Sequence, residues 1–303
     1  MILYILFIIV LLFLFLNKSN GLEGFTTDVN NKNNVENKKC LLVYYGGSFR
    51  EGNIGSTISD TKYGYETQKH ASITHAKLKK VLNQKGFQTD ILINTRHTEY
   101  KDDLMNWYNP FNIILNNIPT KMHGKDYMIQ SCIQNINKLD KNEYQFILFI
   151  RIDLFLKPDF YKIINTESDK IMFLANNYNP RNCKDIVNRK GDPEVVDLFV
   201  YIPKKYYYIL DNKFKLEHNS WEYYKKMYNL NNNDMAFMST LKFDSNSIID
   251  NNPYYVMGSR KENTEIHKND NPKTCPKYIE KKQKYIENPT EYYLNKYSTF
   301  YIV

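Results

Sequence analysis

The chain has 303 residues, 42% of them hydrophobic, which is enough for one large domain or two small ones with a well-formed core. Its formal net charge is +8, from 41 Lys and Arg against 33 Asp and Glu. The basic residues are spread along the chain among Asn, Ile and Tyr, and no Arg-rich run or nucleic-acid-binding motif concentrates them. Nucleic acid is therefore not expected as a partner, whereas an anionic small molecule suits a broadly basic surface.

Residues 1–16 are apolar without interruption. This length is just below the usual range for a membrane-spanning helix. The segment lacks the basic n-region and the small-residue cleavage site of a secretory signal peptide. We therefore predict an uncleaved signal-anchor, with a cleaved signal sequence as the alternative. A single-pass membrane protein with a lumenal main domain follows, although charges such as Lys18 are too few to fix the orientation.

The rest of the chain divides by composition into a stalk, a main domain and a tail. Residues 17–39 are polar and Asn-rich without periodicity, which is typical of a stalk. Residues 40–260 carry the alternating apolar segments and are predicted to form the main domain. Residues 261–303 are biased to Lys, Asn and Pro, and a loosely attached or frayed tail is expected there.

The cysteines give little support for a metal site. Cys40, Cys132, Cys183 and Cys275 show no Cys-x-x-Cys spacing, which argues against zinc. Cys132 falls on the apolar face of a predicted helix. Cys183 and Cys275 lie in polar segments and would pair only if the domain faces an oxidising compartment.

The elements before the middle of the chain predict an α/β pattern. A strand over 40–45 is followed by Gly46, Gly47 and Arg50. Glycines after a first strand allow close approach of a ligand, and an arginine there can meet a phosphate, although such glycines also occur in simple turns. The strand–helix–strand order that follows favours a parallel sheet. The predicted segments are a helix over 68–85 capped by Thr67, a strand over 90–95, a short strand at 113–115 and a helix over 125–138.

The stretch 143–160 carries the strongest signal in the sequence. Phe146–Ile150 is an unbroken apolar run, too short for an ordinary helix and rich in β-branched and aromatic residues. This composition predicts a strand buried on both faces in the middle of a parallel sheet. Arg151 and Asp153 follow two positions apart and would point to the same side of a strand. Pro158 is predicted to close the strand because it has no amide hydrogen.

Arg151 and Asp153 admit two interpretations. A buried charge is costly unless it is paired or binds something. Ligands of open α/β sheets bind at the carboxyl ends of the strands, so the two residues indicate a site. They are equally consistent with a structural ion pair that ties the strand to the next loop.

Shorter elements are predicted after Pro158, and Asp197 interrupts an apolar strand there as Asp153 does. Asn231–Asp234 is typical of a helix start. His70 and His75 are five residues apart and do not share a helix face as zinc ligands would, and they are expected at the surface. The predicted segments are strands over 170–175 and 195–202, and helices over 206–210, 221–228 and 235–241.

These segments resemble the nucleotide-sugar-binding half of a GT-A type glycosyltransferase. More specifically, they are similar to glycosyltransferase-like proteins of large DNA viruses and protists, so a viral protein is expected. The resemblance covers stretches scattered through most of residues 40–260, namely Gly46–Arg50, Phe149–Phe160, Asp197–Tyr207, His218–Trp221 and Asp244–Ser247.

The resemblance implies a GT-A-like mixed, mainly parallel sheet flanked by helices. It also implies an enzyme that moves a sugar from a nucleotide-sugar donor to a hydroxyl of a glycan, protein or lipid acceptor. In that fold a carboxylate motif at the end of a central strand grips a metal and the diphosphate. The usual Asp-x-Asp is Arg151-Ile152-Asp153 here. Asp153 alone can hold Mn²⁺ or Mg²⁺, or Arg151 can neutralise the phosphates directly, and we slightly favour the metal.

The resemblance also implies roles for other residues. Gly46, Gly47, Arg50, Arg151 and Asp153 are expected at the donor. His218 and Trp221 are expected to orient an acceptor sugar, although a Trp is more often a core residue. The alternative to an enzyme is an inactive binding or structural protein that keeps the fold, since Arg151 in place of an Asp is what such a loss would look like. The candidates for the general base are Asp197, Glu222 and Asp234, of which Glu222 can equally be a solvated helix residue and Asp234 a helix cap.

Overall fold

The computed structural model describes residues 38–53, 56–117, 124–174, 176–178, 194–195, 198–216, 221–238, 243–244 and 255–257. All of them belong to one compact unit, Lys38–Val303. The predicted anchor, the tail and most of the stalk lie outside the described residues. None of the helices in the described ranges is both long and apolar enough to cross a lipid bilayer.

Strands and helices alternate along the first half of the domain, and short strands predominate in the second half. The strands are β1 (Lys38–Gly46), β2 (Arg50–Asn53), β3 (Ser56–Ser59), β4 (Phe87–Arg96), β5 (Asn112–Asn116), β6 (Tyr144–Arg151), β7 (Leu154–Leu156), β8 (Ile171–Phe173), β9 (Asn176–Tyr178), β10 (Glu194–Val195), β11 (Phe199–Pro203), β12 (Met235–Phe237), β13 (Phe243–Asp244) and β14 (Tyr255–Met257). The helices are α1 (Lys62–Gln84), α2 (Lys101–Tyr108), α3 (Gly124–Ile136), α4 (Pro158–Ile163) and α5 (Trp221–Tyr228), with 3₁₀ helices at Lys141–Glu143 and Lys204–Ile209.

A seven-stranded sheet in the order β12-β8-β11-β6-β1-β4-β5 forms the centre of the domain. Within it β11 runs antiparallel to both neighbours, β6 and β8. The other neighbouring strands are parallel. The predicted fold class, a mixed and mainly parallel sheet flanked by helices, is confirmed.

Helices cover both faces of this sheet. Because successive side chains of a strand point to opposite faces, β1 contributes alternate residues to two separate cores. Leu41, Val43 and Tyr45 pack with α3 and α5, whereas Cys40, Leu42 and Tyr44 pack with α1, α2 and α4. The apolar run Phe146–Ile150 of β6 is fully buried, as predicted for a central strand.

The strand order reverses between β1 and β6. The chain proceeds from β1 outward to β4 and β5, and then returns to the other side of β1 as β6. In open α/β sheets such a reversal leaves a crevice at the carboxyl ends of the two strands, where ligands bind. The residues that follow β1 and β6 therefore mark the expected site.

Several predicted boundaries were wrong. Pro158 begins α4 instead of closing β6, because its missing amide hydrogen is no loss at the first position of a helix. Helix α1 begins before the predicted residue 68 and is capped by Thr61, whose Oγ1 accepts a hydrogen bond from the Gly64 amide at 3.0 Å. Thr67 lies inside the helix and donates to the Gly64 carbonyl.

The later elements also differ from the prediction. Residues 235–237 form strand β12, which pairs with β8, where a helix was predicted. The strand predicted over 195–202 is split into β10 and β11, and residues 204–209 form a 3₁₀ helix in place of the predicted α-helix. The helix predicted over 221–228 and the short strand around 113–115 are confirmed.

Candidate functional site

The site lies where β1 and β6 end side by side. Tyr45 of β1 is in register with Arg151 of β6, and the Ile152 amide donates to the Tyr45 carbonyl at 2.9 Å. On the other side of β6, the Arg151 amide donates to the Leu198 carbonyl at 3.0 Å. The backbone of residues 151–152 is therefore held from both neighbouring strands before the chain turns into β7.

Arg151 and Asp153 form a bidentate ion pair at this turn. Arg151 Nε donates to Asp153 Oδ1 at 2.9 Å, and Nη2 donates to Oδ2 at 2.6 Å. The two residues are only 6% and 5% exposed. Two parallel charge-assisted bonds fix the plane of the guanidinium as well as its position. The two side chains share one side of the chain, as predicted, and they contact each other.

The loop after β1 is shaped by its glycines. Gly46 has φ +114°, a conformation that side chains disfavour. Gly47 lies under Arg50, whose Cδ would be 2.8 Å from a Cβ at that position. Ser48 is buried, and Thr95 at the end of β4 accepts from its amide at 2.9 Å and donates to its hydroxyl at 2.8 Å. The loop is therefore anchored to β4.

A buried polar layer from α1 and α2, which was not predicted from the sequence, supports the turn of residues 151–153. Gln68 Nε2 donates to the Ile152 carbonyl and to the Tyr108 hydroxyl, both at 3.0 Å. Tyr108 bonds His75 Nδ1 at 3.0 Å, and His75 is 1% exposed, so its predicted surface position was wrong. A signal was present, because Gln68 and His75 share the helical face of Ala71 and Leu78.

His75 is kept neutral by its surroundings. Burial lowers its pKa to about 3, and the Leu154 backbone and the charge of Asp153 oppose this only in part. The ring stacks on Tyr44 with centroids 4.4 Å apart. His75 Nε2 and the Tyr44 hydroxyl are buried polar atoms without a hydrogen-bond partner among the described residues.

An aromatic cluster lies beside the loop after β1. Phe49 of that loop is within 6.0 Å, centroid to centroid, of each of Tyr65, Tyr100 and Trp107. Tyr65 also donates its hydroxyl to Asp103 Oδ1 at 2.9 Å. Phe49 is fully buried, whereas Tyr65, Tyr100 and Trp107 are half-buried and form the aromatic surface next to the loop.

Two of the three predicted general bases, Glu222 and Asp234, are among the described residues. Asp197 lies outside the described residues, but the carbonyl of its chain neighbour Leu198 accepts a hydrogen bond from the Arg151 amide. Glu222, in the first turn of α5, is paired with Lys225 at 2.8 Å.

Asp234 lies at the amino ends of the parallel strands, whereas Asp153 follows the carboxyl end of β6. It directly precedes β12, which is parallel to β8, and β8 runs in the same direction as β6 because both are antiparallel to β11. Its carboxylate accepts from the Asn231 amide and the Tyr206 hydroxyl, both at 2.7 Å, which lowers its pKa. Asp234 therefore shapes a turn far from Arg151.

Of the two acceptor residues proposed from the sequence, Trp221 is among the described residues. His218 lies outside the described residues. Trp221 packs its ring on Phe237 and Phe173, at centroid distances of 4.8 and 6.2 Å, and donates Nε1 to Asn232. It is half-buried against the α3 and α5 core, as expected for the alternative role of a packing residue.

The residues described around Asp153 do not fit a divalent cation. Both carboxylate oxygens already accept from Arg151, and a cation placed on them would lie beside a guanidinium. Like charges in a buried site repel strongly. No group of three or more His, Cys, Asp or Glu side chains in the described ranges could hold a metal ion.

No family model and no curated protein matches the sequence. Solved structures show a partial likeness, among them the following three. A glycosyltransferase involved in glycosylation of the major capsid of PBCV-1 is 8% identical, with a TM-score of 0.31 over 56% of this chain and 63% of its own length. The galactosyltransferase LgtC, in complex with donor and acceptor sugar analogs, is 7% identical, with a TM-score of 0.34 over 66% of this chain and 72% of its own.

The third is a protein from Desulfovibrio desulfuricans G20 assigned as a nucleotide-diphospho-sugar transferase. It is 9% identical, with a TM-score of 0.38 over 82% of this chain and 96% of its own. This chain thus spans less than two thirds of the length of the PBCV-1 enzyme. Likenesses at these scores do not establish a family.

Proposed function

We propose that the chain is a glycosyltransferase that binds a nucleotide-sugar donor in the crevice at the carboxyl ends of β1 and β6. The observation that carries this proposal is the buried Arg151–Asp153 pair at the point where the strand order reverses. The bidentate contact with the Asp153 carboxylate orients the guanidinium of Arg151. Such an arginine suits the planar, bidentate recognition of a phosphate.

The loop after β1 supports the same location. Gly46 and Gly47 carry no Cβ, so the backbone can come close to a bound diphosphate. Arg50 adds a second positive charge within that loop. The half-buried rings of Tyr65 and Tyr100 border it and offer flat apolar surface to a base or a sugar.

The donor is proposed to bind without a divalent cation. This reverses the preference formed from the sequence, because Asp153 already receives two bonds from Arg151. The guanidinium would supply the positive charge at the diphosphate. For the acceptor hydroxyl, Asp197 stays the candidate general base, since Leu198 next to it contacts the Arg151 backbone.

An inactive binding protein that retains the fold is the second candidate. The observation that favours it is the same ion pair, because Arg151 and Asp153 satisfy each other and a structural role would explain them. In that case a nucleotide sugar would bind without turnover, or would not bind.

The test is a thermal-shift and calorimetry screen of residues 38–303 with UDP-, GDP- and CMP-sugars, in EDTA and in Mn²⁺. A ligand at about 100 times its Kd should stabilise the fold by about 2.7 kcal/mol. We expect stabilisation in EDTA, with release of the nucleotide when acceptors are added. Binding without release supports the inactive protein. The absence of any stabilising nucleotide sugar, with or without Mn²⁺, would refute the proposal.

A further inference from the structure

Gln68 is the residue that connects α1 to the turn carrying the ion pair. It is 2% exposed, and its Nε2 donates to the carbonyl of Ile152, the residue between Arg151 and Asp153. The Ile152 amide is bonded to the Tyr45 carbonyl on the opposite side. The Ile152 residue is therefore held at its N–H by β1 and at its C=O by α1.

The hydrogen-bond directions in this layer follow from its chemistry. A carbonyl oxygen only accepts, so the Gln68 amide nitrogen must face Ile152. The same nitrogen donates to the Tyr108 oxygen at 3.0 Å. Tyr108 is bonded in turn to His75 Nδ1, and the direction of that bond depends on the histidine tautomer. With either tautomer the two bonds from Nε2 fix the Gln68 amide in one orientation.

We propose that Gln68 is a positioning residue for the ligand site. It fixes the Ile152 carbonyl and thereby the relative orientation of Arg151 and Asp153, while Tyr108 and His75 fix Gln68. The ligand part of this inference rests on the proposed function. Without the Gln68 amide the buried Ile152 carbonyl loses its partner, and the turn must move to find another.

The molecule offers a matched control. Gln130 on α3 makes the same kind of bond, from Nε2 to the Phe214 carbonyl at 2.8 Å, on the other face of the sheet. Gln68→Met and Gln130→Met each remove one amide-to-carbonyl bond while keeping a long side chain. Two readouts are compared in the folded variants, namely the Kd for UDP and GDP, and the amide hydrogen exchange of residues 151–156.

Gln68→Met is expected to weaken nucleotide binding about ten-fold, equivalent to about 1.4 kcal/mol, and to speed exchange in residues 151–156. Gln130→Met is expected to change neither. Tyr108→Phe keeps the bond from Gln68 to Ile152 and should have a smaller effect on both readouts than Gln68→Met.

Equal loss of affinity in the two Gln variants would show a general structural effect and overturn the proposal. Faster exchange in Gln68→Met with unchanged affinity would also overturn it. If the wild-type chain binds none of the nucleotide sugars of the thermal-shift screen, the proposed function fails and the exchange measurement alone decides. Unchanged exchange in Gln68→Met would then overturn the positioning role.

Discussion

Single and double substitutions of Arg151 and Asp153 are expected to have opposite effects on the stability of the fold. Asp153→Asn leaves a buried guanidinium facing an amide nitrogen, and loss of one partner of a buried ion pair costs about 3–5 kcal/mol. We therefore expect this variant to melt well below the wild type. This differs from the expectation for an Asp held only for a ligand, whose removal would leave the fold as stable or more stable.

The double variant Arg151→Met, Asp153→Leu removes both charges and should recover most of that stability, because apolar replacements of a buried ion pair are often neutral or stabilising. Nucleotide binding should be absent from both variants. Chemical denaturation of both variants, with calorimetry against UDP, provides the comparison. A double variant that folds well and still binds UDP would show that the pair is structural only.

His75 predicts a pH dependence of stability. Its pKa is lowered from 6.5 to about 3 in the folded chain, where Tyr44, Tyr108 and the charge of Asp153 surround it. Between these values the unfolded chain takes up a proton that the folded chain does not. The free energy of unfolding should therefore fall as the pH drops below about 6.5, by about 1.4 kcal/mol per pH unit down to about 3.

Urea denaturation at pH 7 and pH 5 measures this effect. Wild type and His97→Gln, a change at an exposed residue, should lose about 2 kcal/mol more than His75→Gln does over that interval. Equal losses in His75→Gln and wild type would mean that His75 titrates normally in the fold.

At the level of elements, the start of α1 is fixed by a backbone contact instead of an apolar stripe. A Cβ on Gly64 would lie 2.1 Å from the Phe49 carbonyl oxygen, and backbone atoms cannot move aside cheaply. We expect Gly64→Ala to cost about 1–3 kcal/mol or more through overpacking. Gly86 follows the same helix with φ +85° and has open space around it. Gly86→Ala should therefore cost about 1–2 kcal/mol, the cost of holding a residue with a Cβ in a left-handed conformation.

Denaturation of the two glycine variants, together with Trp fluorescence, decides whether this contact is needed. Trp107 belongs to the aromatic cluster next to Phe49, so displacement of the loop in Gly64→Ala should change its emission while Gly86→Ala should not. A Gly64→Ala variant as stable as Gly86→Ala, with unchanged emission, would contradict the close approach.

The central strands could be predicted from the sequence, whereas the start of α1 could not. Strands β1, β4 and β6 were recognisable because a strand buried on both faces must be apolar along its length, and their carboxyl ends then located Gly46, Arg151 and Asp153. The first turns of α1 were missed because a glycine packed on backbone leaves no apolar period. The helical period places Gln68 and His75 on the buried face of α1, but their partners, Ile152 and Tyr108, are distant in sequence and could not be predicted.

Short strands are also difficult to predict from the sequence. The three residues of β12 are a strand because they pair with β8, and nothing local distinguishes them from a helix that follows Asp234. Tertiary pairing overrides local propensity in such cases. The ion pair, too, could be located but not interpreted from the sequence, since its two hydrogen bonds depend on the turn that follows β6.

At the scale of the whole molecule, distant parts of the chain converge on one end of β6. The end of β1, the middle of α1 and Leu198 contact residues 151–152, and the end of α2 is connected to them through Gln68. Strand β14 also returns there, because Met257 pairs with Leu154, the residue after Asp153. The site therefore depends on the folded domain as a unit and cannot be supplied by one half of it.

The last prediction concerns residues 1–16, which lie outside the described residues. A continuous apolar segment of this kind is expected to hold the full chain in a membrane, and we predict that the full-length protein resists extraction by carbonate. Residues 38–303, which contain the compact unit, should be soluble when produced alone.

The control for this prediction is Ile9→Arg combined with Leu12→Arg in the full-length chain. An arginine at the centre of an inserted segment costs about 2.5–3.5 kcal/mol, so two of them should release the protein into the carbonate supernatant. Because the substitutions lie outside Lys38–Val303, they should leave the melting temperature and nucleotide binding of the domain unchanged. Extraction of the unmodified chain by carbonate would show that residues 1–16 do not anchor the protein in a membrane. Retention of the double-arginine chain would place the membrane contact elsewhere in the protein.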